Sequence, residues 1–295
     1  MIICTTLPNS LISTGLKIFN AKKSLQQYLL QEKALTNTIG LVPTMGALHP
    51  GHLSLIEQAK QFNDKVVCSI FVNPTQFNDP KDLEKYPRTI EKDIELLEQV
   101  NCSALFNPPV NEIYDDNEQW HLDLGALEFL LEGKFRPGHY QGVTQVVYKL
   151  FDIVKPDTAY FGQKDYQQFL VISKMVELLK MPVKLVMCPI LREADGLAMS
   201  SRNIHLSQEE HEHALILSKT LYWLKDNFDK DKIEGLRKEA ESMINGRQGV
   251  ELDYFEIADG KTLKPANENT ENIVALVAAK VGITRLIDNI ILVHP

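Results

Sequence analysis

The chain is 295 residues long, carries a formal net charge of -8, and is 44% hydrophobic and 24% charged. This composition supplies a sizeable core and excludes a disordered or fibrous protein, while the length predicts one large domain joined to a smaller one. The acidic balance gives no field to gather phosphate backbones and no apolar run is long enough to span a bilayer, so neither nucleic acid nor membrane is an expected partner.

Met1 to Thr14 lacks a basic region followed by a long apolar stretch, which makes the cytoplasm the expected location. From Thr38 to about Pro189 short apolar runs alternate with amphipathic stretches, the rhythm of a doubly wound parallel sheet covered on both faces. The predicted strands are Ile39 to Pro43, Val66 to Val72, Ser103 to Phe106, Thr158 to Phe161 and Val183 to Ile190. The predicted helices are His52 to Phe62, Thr89 to Val100, Val143 to Val154 and Asp165 to Leu179. After Pro189 the texture changes. Charged helical stretches at Ser207 to Asn227 and Lys232 to Ile244 precede alternating runs at Leu252 to Ile257, Ile273 to Val281 and Thr284 to Val293, which predict a small α+β domain with an antiparallel sheet. The expected division is therefore residues 1–190 and 191–295. Cys4, Cys68, Cys102 and Cys188 show no Cys-x-x-Cys spacing, and Cys68 and Cys188 sit in apolar runs, so reduced structural thiols are expected.

The strongest local signal is Pro43-Thr44-Met45-Gly46-Ala47-Leu48-His49-Pro50-Gly51-His52, between the first predicted strand and a helix. Such a turn aims backbone N–H groups and the positive helix end at a ligand, which suits nucleotide phosphates. His49 and His52, three apart, can place two imidazoles on one side of it; the same residues also fit a capping turn with two surface histidines. A metal site there lacks a third local ligand. In Leu191 to Asn203, Met199-Ser200-Ser201-Arg202 offers hydroxyl donors and a forked cation for phosphate oxygens, or a plain turn with a helix cap. Gly162-Gln163-Lys164-Asp165 again joins a strand to a helix start, where Lys164 can meet a phosphate and Asp165 can cap the helix. Gln76, leaving the second strand in Asn73-Pro74-Thr75-Gln76, presents an amide suited to a hydroxy acid. Gly133 to Tyr140 is a glycine-rich, basic loop. Gly260-Lys261-Thr262 lacks the earlier glycine of a Walker loop, and dinucleotide, nucleophile-elbow and zinc-helix motifs are absent. His211-Glu212-His213 reads as a solvated helix surface.

Together these segments resemble the pantothenate synthetase family, within the nucleotidyl-transferring enzymes that carry HIGH-like and KMSKS-like sequences. His49-Pro50-Gly51-His52 is similar to the first and Met199-Ser200-Ser201-Arg202 to the second. The resemblance covers nearly the whole chain, with five motifs in the family's order. It implies a Rossmann-like ATP- and pantoate-binding domain, a smaller C-terminal lid, a homodimer, and the Mg-ATP-dependent joining of pantoate to β-alanine through a pantoyl-adenylate. By the same resemblance Met45, Gly46, Ala47, Leu48, His49, Pro50, Gly51 and His52 contact ATP, with His52 marked as catalytic and His49, Lys164 and Arg202 beside it on the phosphates. Gly162, Gln163, Lys164, Asp165, Leu191, Met199, Ser200, Ser201 and Arg202 complete the ATP site. Gln76 and Gln168 hold pantoate, with Asn73, Arg136 and His139 as weaker matches.

One departure stands out. In Asn78-Asp79-Pro80-Lys81-Asp82, Lys81 occupies a position where the family commonly has an acid, which leaves the metal ligands unassigned. The rival readings are an adenylyltransferase of the same superfamily that makes a dinucleotide cofactor, a tRNA-charging enzyme, and a non-catalytic nucleotide-binding protein.

Overall fold

The computed structural model describes residues 15–78, 80–115 and 118–293. The readings made for Met1 to Thr14, Cys4 and Asp79 fall outside the described residues, as does the side chain of Asp82.

The chain runs β1 (Lys17–Phe19), α1 (Lys22–Ala34), β2 (Ile39–Thr44), α2 (Pro50–Phe62), β3 (Lys65–Ile70), α3 (Pro80–Lys85), α4 (Ile90–Gln99), β4 (Ala104–Phe106), α5 (Val110–Ile113), α6 (Glu132–Phe135), α7 (His139–Val154), β5 (Thr158–Gly162), α8 (Tyr166–Leu178) and β6 (Lys184–Cys188). These six strands form one parallel sheet in the order β1-β4-β3-β2-β5-β6. The strands read as continuous apolar runs because both faces are buried. Ile39 and Leu41 of β2, Val67 of β3 and Phe106 of β4 enter a core with α1, α7 and α8. Val42, Val66, Cys68 and Leu105 point the other way, against Leu55, Ile56 and Leu97 of α2 and α4. Each large apolar side chain so buried contributes about 1.5–3 kcal/mol. Cys68, Cys102 and Cys188 are free and buried, as expected, and burial raises Cys102 and Cys188 to about 11.

Successive strands grow from β2 through β3 to β4 on one side and from β5 to β6 on the other. The chain therefore changes direction between β2 and β5, and the crevice beyond their carboxyl ends is where open α/β sheets take ligands.

The rest of the chain holds α9 (Gln208–Asp226), α10 (Ile233–Asn245), and an antiparallel sheet of β7 (Val250–Asp259), β8 (Ile273–Val281) and β9 (Thr284–Val293). Ser207 and Glu210 close a capping box at the start of α9, which fixes that boundary where the charged stretch begins. One sheet face packs on α9 and α10 through Ile273, Ala275 and Val277. The other face, with Val274 and Leu276, packs on Tyr166 and on Leu127, Leu130 and Leu131. β8 is thus buried on both sides, which explains its nearly unbroken apolar sequence.

Several boundaries differ from the expectation. β3 stops at Ile70; β6 spans Lys184 to Cys188, ending there because Pro189 has no N–H to continue the ladder. α7 begins at His139, one turn earlier than expected, behind Gly138 at φ +78. β1 and α1 had no counterpart in the sequence reading.

Candidate active site

The turn after β2 is strained and anchored from below. Gly46 has φ +82, and a Cβ there would lie 3.0 Å from Ile70 and 3.1 Å from Asp93. Ala47 follows at φ +49, a conformation costing roughly 1–3 kcal/mol for a residue with a side chain. The cost is offset by the buried carboxylate of Asp93 on α4, which accepts from the N–H of Ala47 (3.0 Å) and of Leu48 (2.8 Å) and from the Thr89 hydroxyl (3.2 Å). Pro50 opens α2, where its missing N–H costs nothing.

His49 caps α2, its Nδ1 accepting from the Gly51 N–H at 3.1 Å. The ring proton therefore sits on Nε2, free to donate. A Cβ on Gly51 would lie 2.8 Å from the His49 ring, so glycine there is what lets the cap form. The His49 and His52 rings lie 4.0 Å apart. Burial, with Lys164 nearby, lowers His49 to about 4. Burial, then His49 and Lys164, push His52 well below its ordinary value. Both imidazoles are neutral at pH 7. The Nδ1 of His52 is sealed from solvent and has no hydrogen-bond partner among the described residues.

A second wall follows β3. The amide of Asn73 donates to Gln76 Oε1 (3.1 Å) and to the Gly142 carbonyl (3.1 Å), and its oxygen accepts from Tyr114 (2.7 Å). Gln76 Nε2 meets Met45 Sδ at 2.9 Å. His139 donates from Nδ1 to the Gln76 carbonyl (2.8 Å) and accepts at Nε2 from Arg136 (3.1 Å). Burial, reinforced by Arg136, lowers His139 to about 3, so this ring too is neutral. The candidate amide of Gln76 is thereby held from both its backbone and its side chain.

The third wall comes from the turn Gln163–Asp165 after β5 and from the loop Leu191 to Arg202. Asp165 stands at the start of α8, yet its side chain makes no capping bond there and lines the cavity instead. These walls enclose a cavity of about 260 Å³. Met45, His49, Gly51, His52, Asn73, Gln76, Gly162, Lys164, Asp165, Gln168, Leu191, Met199, Ser200, Ser201 and Arg202 line it, as do Arg136 and His139. Gly46, Ala47, Leu48, Pro50 and Gln163 do not. The first three supply the bent backbone over Asp93, and the Gln163 amide turns away to Asn289. Ser200 caps the short helical turn Ser201–His205, accepting from the Arg202 N–H at 3.2 Å.

Tertiary structure adds pairings that no local signal marked. Glu132, in the cavity lining, takes the two terminal Arg285 nitrogens at 2.6 and 2.7 Å and the Tyr254 hydroxyl at 2.9 Å, while Arg285 Nε bonds Asp253 at 2.6 Å. Burial raises its carboxyl, but Arg285 and Tyr254 more than offset this and hold it below the usual value. Arg192 pairs with Asp288 of β9 at 2.6 and 3.0 Å. His211, expected on a solvated helix surface, is partly exposed and bonds Asp195 at 2.7 Å there. It forms with Glu193 and Asp195 the one His/Cys/Asp/Glu group spaced for a cation among the described residues, and that group lies outside the cavity.

A family model described as Pantoate-beta-alanine ligase matches residues 17–291. The pantothenate synthetase of Porphyromonas gingivalis is 46% identical over 277 residues, covering 93% of this chain and 99% of that one. That of Thermotoga petrophila is 46% identical over 282 residues, covering 94% of this chain and all of the relative. Among solved structures, the pantothenate synthetase of Thermus thermophilus superposes with a TM-score of 0.88 at 38% identity, covering 95% of this chain and 100% of that one. The pantoate-β-alanine ligase of Francisella tularensis, solved in complex with β-γ ATP and β-alanine, has a TM-score of 0.77 at 36% identity and covers 94% and 98%. With the cavity at the sheet's switch point and near-complete coverage in both directions, this chain belongs to the pantoate–β-alanine ligase family.

Proposed function

We propose that the family's ligation of pantoate to β-alanine proceeds here in two steps in the one cavity, through a pantoyl-adenylate. A pantoate carboxylate oxygen attacks the α-phosphorus of ATP as the bond to pyrophosphate breaks. The β-alanine amine then attacks the acyl carbon, the bond to AMP breaks and the amine gives up a proton. Holding the reactants in line is worth on the order of 7–11 kcal/mol in favourable cases. The carrying observation is the convergence of His49, His52, Lys164, Arg136 and Arg202 on a single cavity from well-separated segments.

Within that reading the division of labour follows from charge. Lys164, Arg136 and Arg202 supply the fixed positive charge for the triphosphate. His49 and His52, being neutral, act as hydrogen-bond donors rather than cations, His49 through Nε2. Gln76 and Gln168 hold pantoate, with Asn73 fixing Gln76. The ligands of the Francisella tularensis relative support ATP and β-alanine as this chain's substrates.

Of the carboxylates that line the cavity, Glu132 and Asp288 are committed to Arg285 and Arg192, which leaves Asp165. One carboxylate fits a Mg²⁺ held mainly by phosphate oxygens, which when bound neutralises triphosphate charge. Residues 191–295 form the smaller domain that completes the site, and a cytoplasmic homodimer is the setting that goes with this reading. No described helix is long and apolar enough to cross a membrane.

An AMP-release assay with pantoate and β-alanine omitted in turn tests the route. AMP should appear only with all three substrates, and pantoate alone should support exchange of pyrophosphate into ATP. An adenylyltransferase would retain AMP in its product, and a binding protein would show no exchange.

A further inference from the structure

We infer that Asn289, on β9, is a positioning residue for ATP: a buried amide that fixes, from the C-terminal sheet, the turn carrying Lys164. The inference rests on the reading above that Lys164 meets the phosphates.

Asn289 is 1% exposed. Its Oδ1 accepts from Gln163 Nε2 at 3.0 Å, and its Nδ2 donates to the carbonyls of Gln163 (2.9 Å) and Lys164 (3.0 Å). An amide side chain has two N–H donors and one carbonyl, and here all of them are spent on one turn. That turn has no side-chain cap from its own segment, so its geometry is imposed from outside.

The neighbouring residue does the same for the other nucleotide-facing segment. Asp288 grips Arg192, whose guanidinium also reaches the Gly196 carbonyl at 3.1 Å and the Asn289 carbonyl at 3.4 Å. Asp288 further accepts the N–H of Asn289 at 2.7 Å. One buried dipeptide therefore sets the turn of Lys164 against the loop of Met199 to Arg202. Nothing but an amide does this at position 289: a carboxylate of the same size repels the two carbonyl oxygens, and an apolar side chain leaves them without donors.

Steady-state kinetics of Asn289→Asp, Asn289→Ala, Lys164→Ala and the Asn289→Ala/Lys164→Ala double variant test this, with circular dichroism to verify folding. Asn289→Asp keeps the packing volume and so carries the test should Asn289→Ala fail to fold. We expect the KM for ATP to rise tenfold or more in both Asn289 variants, with the KM for pantoate within twofold of the parent. In the double variant the ATP defect should be close to that of Lys164→Ala alone, because Asn289 acts through Lys164; a merely structural role would add its loss in full. An unchanged KM for ATP in folded Asn289→Asp, or additive losses, overturns the inference. Parental ATP kinetics in Lys164→Ala would instead overturn the assignment of Lys164 and the inference with it.

Discussion

The two strand-to-helix turns that face each other across the switch point are built differently. The turn after β2 holds its candidate groups in one contiguous stretch and is anchored by Asp93 of α4, a helix packed on the same sheet and only 45–46 residues on. The turn after β5 carries Lys164 but borrows its geometry from Asn289, 125–126 residues away on another sheet. Reactive groups can be local while the frame that aims them is remote, because a hydrogen bond depends on distance in space and not along the chain.

Four measurements can break or sharpen that contrast. The largest effect is expected from Glu132→Ala, which leaves the partly buried Arg285 guanidinium with Asp253 alone and the Tyr254 hydroxyl without its acceptor. It should lower stability by about 3–5 kcal/mol in urea denaturation, as broken buried pairs do. A loss under ~1 kcal/mol would show that the second sheet is not locked to the first by this pair. Next, His52→Ala should cut kcat by about 10²–10³-fold, as losing one preorganised donor does, with unchanged circular dichroism; near-normal turnover would remove His52 from the mechanism. Asp93→Asn turns an amide toward the N–H groups of Ala47 and Leu48. It should cost about 1.5–3 kcal/mol and raise the KM for ATP, a penalty confined to the turn after β2.

The smallest effect per unit is a pH dependence. An unfolded histidine titrates near 6.5, whereas His49 titrates at about 4 and His139 at about 3 in the fold. As pH falls below 6.5 the unfolded chain takes up protons that the native chain refuses, so stability declines with falling pH. The slope approaches ~1.4 kcal/mol per pH unit for each such histidine, and for His49 it persists down to about pH 4. Urea midpoints at pH 7 and pH 5 check this, and His139→Gln should flatten the slope. An equal midpoint at both values would contradict the burial of neutral imidazoles.

Much of the fold was legible because both periodicities were. The apolar runs of β2, β3 and β5 and the paired runs of β8 and β9 record burial directly in residue type. β1 escaped because three residues carry no period, and its partner β4 lies far along the chain. α1, Lys-Lys-Ser-Leu-Gln-Gln-Tyr-Leu-Leu, buries only Leu25, Tyr28 and Leu29 and is otherwise polar. The start of α7 was misplaced because His139 looked like a loop residue, yet its ring is drawn inside by the Gln76 carbonyl and Arg136.

By itself the sequence determined which groups were candidates for the chemistry. Two histidines three apart, a lysine after a strand and a Ser-Ser-Arg stretch stand out through side-chain type and local spacing, and the family resemblance supplied the roles expected of them. Only the tertiary structure decided their protonation and aim. It buried the imidazoles until they were neutral, set Asp93 beneath a strained turn, and brought Asp288 and Asn289 across from a second sheet to hold Arg192 and the turn of Lys164. Desolvation and hydrogen-bond direction exist only once distant segments are packed together, so no linear pattern records them.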